Sequence, residues 1–268
     1  MRLPSLSLVT SFLAVSALPL AFAQAPALPA GSSQYTLVEA NDGKTVGSAD
    51  ATVQTLPNGY QISSRGEMKL AKFSYSFSND NRMDRQLNIV HDQLTGTVNG
   101  AQVTFNMSSD ASGRQFEINI VAQGKTTTNS VDRHQNTVLL PDLDPAAYIE
   151  MAHFALEHPA TPWVVVPKQN GLLIPAQYTM QNDIKAAFHG QSIFVRHTSV
   201  IVSGENGVSI EIYSTGDGQM LEADLPEQNF YVIRDGFKLS SRPHYTPPRG
   251  SAPPPDQQQP NPNQPPSQ

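Results

Sequence analysis

The sequence predicts a mainly β protein: an antiparallel curled sheet or half-barrel of roughly ten or more strands, with one helix in or over the concave face. Three observations carry this reading. Apolar and polar residues alternate at period two in segment after segment, Asn-Gly and Asp-Gly pairs punctuate those segments, and a single stretch replaces the alternation with a helical pattern.

The chain opens with "MRLPSLSLVTSFLAVSALPLAFAQAPA", in which one charge, Arg2, precedes an uncharged run that closes on Ala21-Phe22-Ala23. Small residues at the first and third positions before a cut suit signal peptidase, so residues 1–23 are expected to be a secretory signal peptide, removed before Gln24. The run is too short and too interrupted by Ser and Pro to anchor, since a span needs about 20 consecutive apolar residues. No other segment approaches that length, so the mature chain is expected to lack a transmembrane segment. The expected location is exported, periplasmic or extracellular.

Residues 24–33 are expected to be a short linker, and 34–241 a single β-rich domain. About 245 residues after cleavage suffice for one substantial core. The chain has no cysteine, so that core acts without disulfides and no lipid-modified Cys is available. Loss of Arg2 leaves a net charge of −7, which argues against nucleic acid and against charge-driven binding to anionic membrane.

Within the domain, "KFSYSFS" sets Phe73, Tyr75 and Phe77 opposite Lys72, Ser74 and Ser76. "VTFNM" places Val103, Phe105 and Met107 on one face, and "FEINI" does the same with Phe116, Ile118 and Ile120. Such alternation means a sheet with one wet face. Asn41-Asp42-Gly43, Pro57-Asn58-Gly59, Asn99-Gly100, Ser112-Gly113, Asn170-Gly171, Glu205-Asn206-Gly207 and Gly216-Asp217-Gly218 mark the turns.

The break in rhythm is "DLDPAAYIEMAHFALEHPATPW". Asp144 can cap, Pro145 suits the first helical position, and Pro159 follows the end, so the segment predicts a helix over Pro145–Glu157. Most of its girth is apolar, and only Glu150, His153 and Glu157 form a polar stripe, so several sides should be covered. With Glu and His three apart, the stripe and the adjacent His158 could form a metal half-site. No ligands at recognisable spacing complete one, and the stripe is read as the wet edge of a buried helix, with no metal and no cofactor expected.

"TPWVVVPKQNGLLIPAQY" reads as two core strands around an Asn-Gly turn, or else as an apolar lip at a cavity mouth. In the closing hairpin, Val208, Ile210 and Ile212 share a face, and after the Gly-Asp-Gly turn so do Leu221, Ala223 and Leu225. Glu222 and Asp224 then fall on the opposite, expectedly wet face. A catalytic carboxyl pair needs one member in an apolar setting, so no catalytic residues are assigned here. The sequence also lacks a G-x-S-x-G elbow, a phosphate loop and a dinucleotide fingerprint. The C-terminal residues 242–268 hold ten of the 22 prolines and, beyond Tyr245, no large apolar residue, so a disordered Pro/Gln-rich tail is expected.

"IEIYSTGDGQMLEADLPEQNFYVIRDGF" resembles the closing segment of exported bacterial proteins in domain-of-unknown-function families, and "YTLVEANDGKTVGSADATVQTLPNGYQISS" resembles their first hairpin. The likeness spans much of residues 34–237 and extends to the curled sheet of periplasmic lipoprotein carriers, where a helix lies over the hollow face. It implies a fold and a hydrophobic cavity, and no catalytic residues. The chain departs from the lipoprotein-receptor members in having no Cys to acylate. The expected function is therefore a cell-envelope protein binding an apolar small molecule or lipid, with Tyr148, Met151, Phe154 and Trp163 lining the site. The alternatives are a non-enzymatic scaffold that meets an envelope protein through its Pro-rich tail, and, third, an enzyme of unknown class.

Overall fold

The computed structural model describes residues 27–156, 162–203 and 207–242. The expected signal peptide, the tail beyond Arg242, and Glu157, His158 and Pro159 of the helix segment lie outside them.

The alternating segments form seventeen strands. The first eight are β1 (Gly31–Glu39), β2 (Thr45–Leu56), β3 (Gly59–Lys69), β4 (Ser74–Asp84), β5 (Ile89–Val98), β6 (Ala101–Ser109), β7 (Gln115–Ala122) and β8 (Lys125–Asp132). Then come β9 (Thr137–Leu139), the helix α1 (Pro145–Phe154), β10 (Trp163–Val166), β11 (Leu172–Met180), β12 (Ile184–Phe188) and β13 (Gln191–Val202). The last are β14 (Val208–Ser214), β15 (Met220–Leu225), β16 (Phe230–Arg234) and β17 (Phe237–Leu239). The first strand thus begins inside the segment expected to be linker.

Strands β1 to β8 form an antiparallel meander, each paired with the next. The free edge of β1 pairs with β16, and the ladder continues through β15, β14, β13 and β11 to β10 and β9. Its end strands, β8 and β9, do not pair with each other, so the sheet curls without closing into a barrel. The β9–β10 pair is parallel, so the sheet is mixed rather than purely antiparallel. Parallel neighbours need a crossover connection, and α1 lies in that connection. The same βαβ-like link that makes the sheet mixed carries the helix into the hollow.

The rolled end is held by close packing. Gly171, in the turn between β10 and β11, has φ +71°, and a Cβ there would stand 3.0 Å from Ile118 of β7. The β9–β11 end therefore lies against the inner face of β6 and β7, where Phe105, Met107, Phe116 and Ile118 are fully buried as the alternation predicts.

Helix α1 occupies the concavity, against β2 and β3 on one wall and β14 and β15 on the other. All ten of its residues are buried, Glu150 and His153 included. The wet-stripe expectation is thus corrected: a curled sheet surrounds the helix completely, so no azimuth is left for solvent. The helix ends at Phe154, with Ala155 as its C-cap donating to the carbonyl of Met151.

A second layer lies outside. Strand β13 is long enough to serve two partners: residues 191–195 pair with β12, and residues 198–202 with β11. β17 completes the small sheet beside β12. Its core of Ala186, Val195, Phe237 and Leu239 packs on Tyr213 and Leu221, from the outer face of β14 and β15.

Phe154 is 1 % exposed and belongs to the main core. Phe154→Ala should cost about 3–5 kcal/mol, the range for truncating a buried aromatic. Denaturant unfolding of purified wild type and variant measures it; a loss under about 1 kcal/mol would mean that Phe154 faces a hollow rather than packed side chains.

Candidate functional site

The approach to the helix builds a cavity. Asp144 has the extended conformation of an N-cap, and its carboxylate accepts from the Ala146 amide at 2.9 Å. This fixes the preceding Leu140–Asp142 segment beside the first turn of α1. Between them and the ends of β10, β11, β13, β14 and β15 lies a cavity of about 290 Å³. Leu140, Tyr148, Val166, Ile174, Val202, Val208 and Leu225 give it an apolar lining. At its rim, the exposed Lys168 ammonium meets Asp142 at 2.5 Å. Burial drives the pKa of the Tyr148 hydroxyl well above the usual tyrosine value, with Asp142 and Asp144 adding to the effect, so it stays a neutral phenol.

The four residues singled out from the sequence separate here. Tyr148 lines the cavity. Met151 and Phe154 are packed in the core further along the helix. Trp163 sits at the far end of β10 from Val166, half-buried, with its ring stacked on His134 at 4.0 Å and 13°. Val166 and Ile174 come from the segment that could be read as an apolar lip, and Leu140, Val202, Val208 and Leu225 are single aliphatic residues that carry no local signal. Lys168 follows Pro167 in a short 3-10 turn and was legible only as a turn residue.

Inside the hollow the helix meets a polar strip. On the inner face of β3, β4 and β5, Ser64 pairs with Asn79 and Asn81 with Asp92. Ser64 donates to Asp144 at 2.6 Å and Asn79 donates to its other oxygen at 2.9 Å. Asn81 donates to Glu150 at 2.6 Å. Neither oxygen of Asp92 has a hydrogen-bond partner among the described residues. Burial raises the pKa of Asp92 and Glu150 well above the usual carboxyl range, and mutual repulsion with neighbouring acids reinforces it. In both, burial favours the neutral acid. Among the described residues, no group of three or more His, Asp and Glu is arranged to hold a metal ion.

The second correction concerns the closing hairpin. Glu222 and Asp224 do lie on the face opposite Ala223 and Leu225, but that face is covered. All six residues of β15 are buried, because the small outer sheet and the chain after β17 lie over it. A register shift beside Tyr213–Ser214 also moves Leu221 out of the Ala223–Leu225 face and into the outer core, leaving Met220 in the main one. Arg242 donates to Glu222 and, at 3.0 and 3.1 Å, to both oxygens of Asp224, with its guanidinium 3.8 Å from the Tyr231 ring centroid. Burial and the neighbouring Asp224 carboxyl push Glu222 up; burial also raises Asp224, against the opposing pull of its bond with Glu222 and of Arg242. Nearby, His197 meets Glu211 at 2.7 Å and stacks on Tyr213. This is an apolar setting for a carboxyl pair, as acid–base chemistry requires, but one Glu222 oxygen and both Asp224 oxygens are already bonded to Arg242, and the other Glu222 oxygen is buried.

No protein-family profile matches this chain, and no curated protein matches it. Among solved structures it resembles a β-barrel-like protein of the domain of unknown function DUF1849 from Brucella abortus. That match is 8 % identical, covers 81 % of this chain and 100 % of the other, and has a TM-score of 0.54. A DUF1089 family protein from Pseudomonas aeruginosa is 10 % identical over 82 % and 97 % of the two chains, with a TM-score of 0.42. The first likeness shows the fold.

Two outcomes follow from the buried acids. A raised folded-state pKa means that the native chain holds protons the unfolded chain releases, so the stability these acids contribute is fully present below the unfolded carboxyl pKa and is lost as pH rises through the folded value. Thermal melts from about pH 5 to about pH 8 should show that fall in wild type and a smaller one in Asp92→Asn; equal slopes would mean that Asp92 is ionised in the fold. Arg242→Ala should destabilise the protein by stranding the Glu222–Asp224 pair, and adding Glu222→Gln should restore part of the loss, as a double-mutant cycle measures.

Proposed function

We propose that this protein is an exported component of the cell envelope, periplasmic or extracellular, that binds one apolar, lipid-like molecule in the cavity beside Tyr148. The observation that carries the reading is the chemistry of that cavity: an aliphatic and aromatic lining ending at a lysine–carboxylate pair on the rim. Its volume is near the lower end of the range of about 300–1,000 Å³ spanned by ligand sites. It suits a chain or a small ring rather than a bulky polycycle. Lys168, though paired with Asp142, is exposed and has further N–H donors to offer the polar head of such a molecule where the tail leaves the protein.

The export half of the proposal rests on the N-terminal pattern of Arg2, an uncharged run and Ala21-Phe22-Ala23. No described helix is long and apolar enough to cross a membrane. Binding is favoured over catalysis by what the ionisable groups do. Asp92 and Glu150 are enclosed in the core, and Glu222 and Asp224 are bonded to Arg242. The tightly packed helix is what a solid scaffold would have; the cavity at its N-terminal end is what a carrier needs, and it supports the carrier reading.

Val208 stands at the cavity wall and is only partly buried. Val208→Trp should fill the space with little change in melting temperature and abolish uptake of a fluorescent fatty-acid probe. Lys168→Glu should weaken the carboxylate probe and spare its alcohol analogue. Protein purified from its host should release a bound lipid on extraction for mass spectrometry. Probe uptake unaltered by Val208→Trp, or no uptake by wild type, would contradict the proposal.

A further inference from the structure

The outer face of β1–β4 carries a feature that the apolar cavity does not involve. Side chains alternating with the core point outward in cross-strand rows. The central row is Gln34, Asp50, Arg65 and Ser78, each directly opposite the next. Above it stands a row beginning with the hydrogen-bonded hydroxyls of Ser32 and Thr52, 2.9 Å apart. Below it Thr36, Ser48, Glu67 and Ser76 follow in the same register. Two adjoining hollows, of about 720 and about 610 Å³, lie over these rows and share the central one. Successive rows are about 7 Å apart, so the trough extends about 14 Å along the strands.

The far wall is held rigidly. It consists of the β12–β13 turn at His189 and the β16–β17 turn at Asp235–Gly236. His189 adopts φ +47°, rare for a residue with a side chain, and its amide donates to the Gly236 carbonyl at 2.9 Å. A Cβ on Gly236 would stand 2.5 Å from the His189 ring, so the two turns interlock.

We infer that this trough binds a neutral, polyhydroxylated ligand of saccharide chemistry. No apolar residue lines the larger hollow, whose solvent-facing rows supply Ser, Thr, Gln, Asp and Arg, with His189 on the far wall. Its charges already have partners: Arg65 donates through Nε to both oxygens of Asp50 at 2.8 and 2.9 Å, Arg234 donates to Gln219 at 2.9 Å, Asp80 accepts from Gln61 at 2.5 Å, and Asp235 accepts from Thr36 at 3.1 Å. The field is therefore of mixed sign and local, matched to hydroxyl groups that both donate and accept, rather than to an ion. The terminal nitrogens of Arg65, an 80 % exposed side chain, make no hydrogen bond among the described residues and are free to donate to ligand oxygens. A peptide strand is disfavoured over most of the trough, because β2 to β4 are each paired along both edges and β1 is paired with β16 from Tyr35 onward, which leaves only the short start of β1, Gly31 to Ser33, with an open edge. Each sugar hydroxyl exchanges a water bond for a protein bond with modest net gain, so millimolar affinity for a trisaccharide is expected.

The test is an amide-resolved NMR titration of the mature full chain with maltotriose, cellotriose and N-acetylated chitotriose. The proposal requires that at least one shifts amides of β1–β4 and of the His189 and Gly236 turns, saturably. Arg65→Ala should weaken that ligand about tenfold, and Ser78→Trp should block it, with unchanged melting temperature in both. Because the ligand is neutral, raised salt should leave the affinity unaltered. No saturable shifts with any of the three sugars would overturn the inference, as would shifts confined to other strands or binding abolished by salt. The fatty-acid probe is read at a separate cavity, so either result stands without the other.

Discussion

One carboxylate organises the interior. Asp144 closes the first turn of α1 through the Ala146 amide and accepts from Ser64 and Asn79 on the inner wall of the sheet. A helix N-terminus leaves amide donors without partners, and a curled sheet that buries the helix on every side offers no water to satisfy them. Asp144 answers both requirements with one group, joining helix start to sheet. Burial raises its pKa while those three bonds pull the other way. Glu150, two turns on, repeats the arrangement with Asn81. The seat of the helix is thus polar while its packing is apolar, and the cavity beside Tyr148 exists because Asp144 fixes where the incoming chain must turn.

The sheet presents three different chemistries through the same alternation. Its inner face is largely apolar and carries the Ser64–Asn79–Asn81–Asp92 strip that receives the helix. The outer face of β1–β4 is hydroxyl- and amide-rich and meets solvent. The outer face of β14–β16 is covered by a second small sheet, and there the acids Glu222 and Asp224 are compensated by Arg242. Burying two carboxyls without a cation would cost several kcal/mol, so the chain after β17 is tied to the body at that residue.

Where one face of a strand pair is wet, the sequence was readable. Phe105, Met107, Phe116 and Ile118 were assigned inward by period alone and are fully buried. Where both faces are covered, period two still separates the faces but cannot say which is dry. Glu222 and Asp224 looked solvated because their cover, β12 and β17, comes from elsewhere in the chain. Glu150 and His153 looked like a wet stripe because nothing local announces Asn81 or Asp92 on the facing wall. The helix position was legible from Asp144-Pro145, and the cavity was legible at Tyr148 and in the alternative reading of the Trp163–Tyr178 segment as an apolar lip, which supplies Val166 and Ile174, whereas Leu140, Val202, Val208 and Leu225 come from scattered places in the chain. Turns with Asn-Gly were visible; His189-Gly190 and Gln123-Gly124, with the same positive φ values, were not, because His and Gln rarely take the first position.

The central claim is that α1 is an integral part of the core, seated through Asp144 and Glu150, and not a lid over an empty hollow. Native-state amide hydrogen exchange tests it most directly. The account predicts that the amides of Met151, Ala152, His153 and Phe154 exchange only through global unfolding, with the same free energy as the central amides of β3 and β4. Helix amides that exchange much faster, while β3 and β4 remain protected, would show that the helix lifts out of an intact sheet and would contradict it.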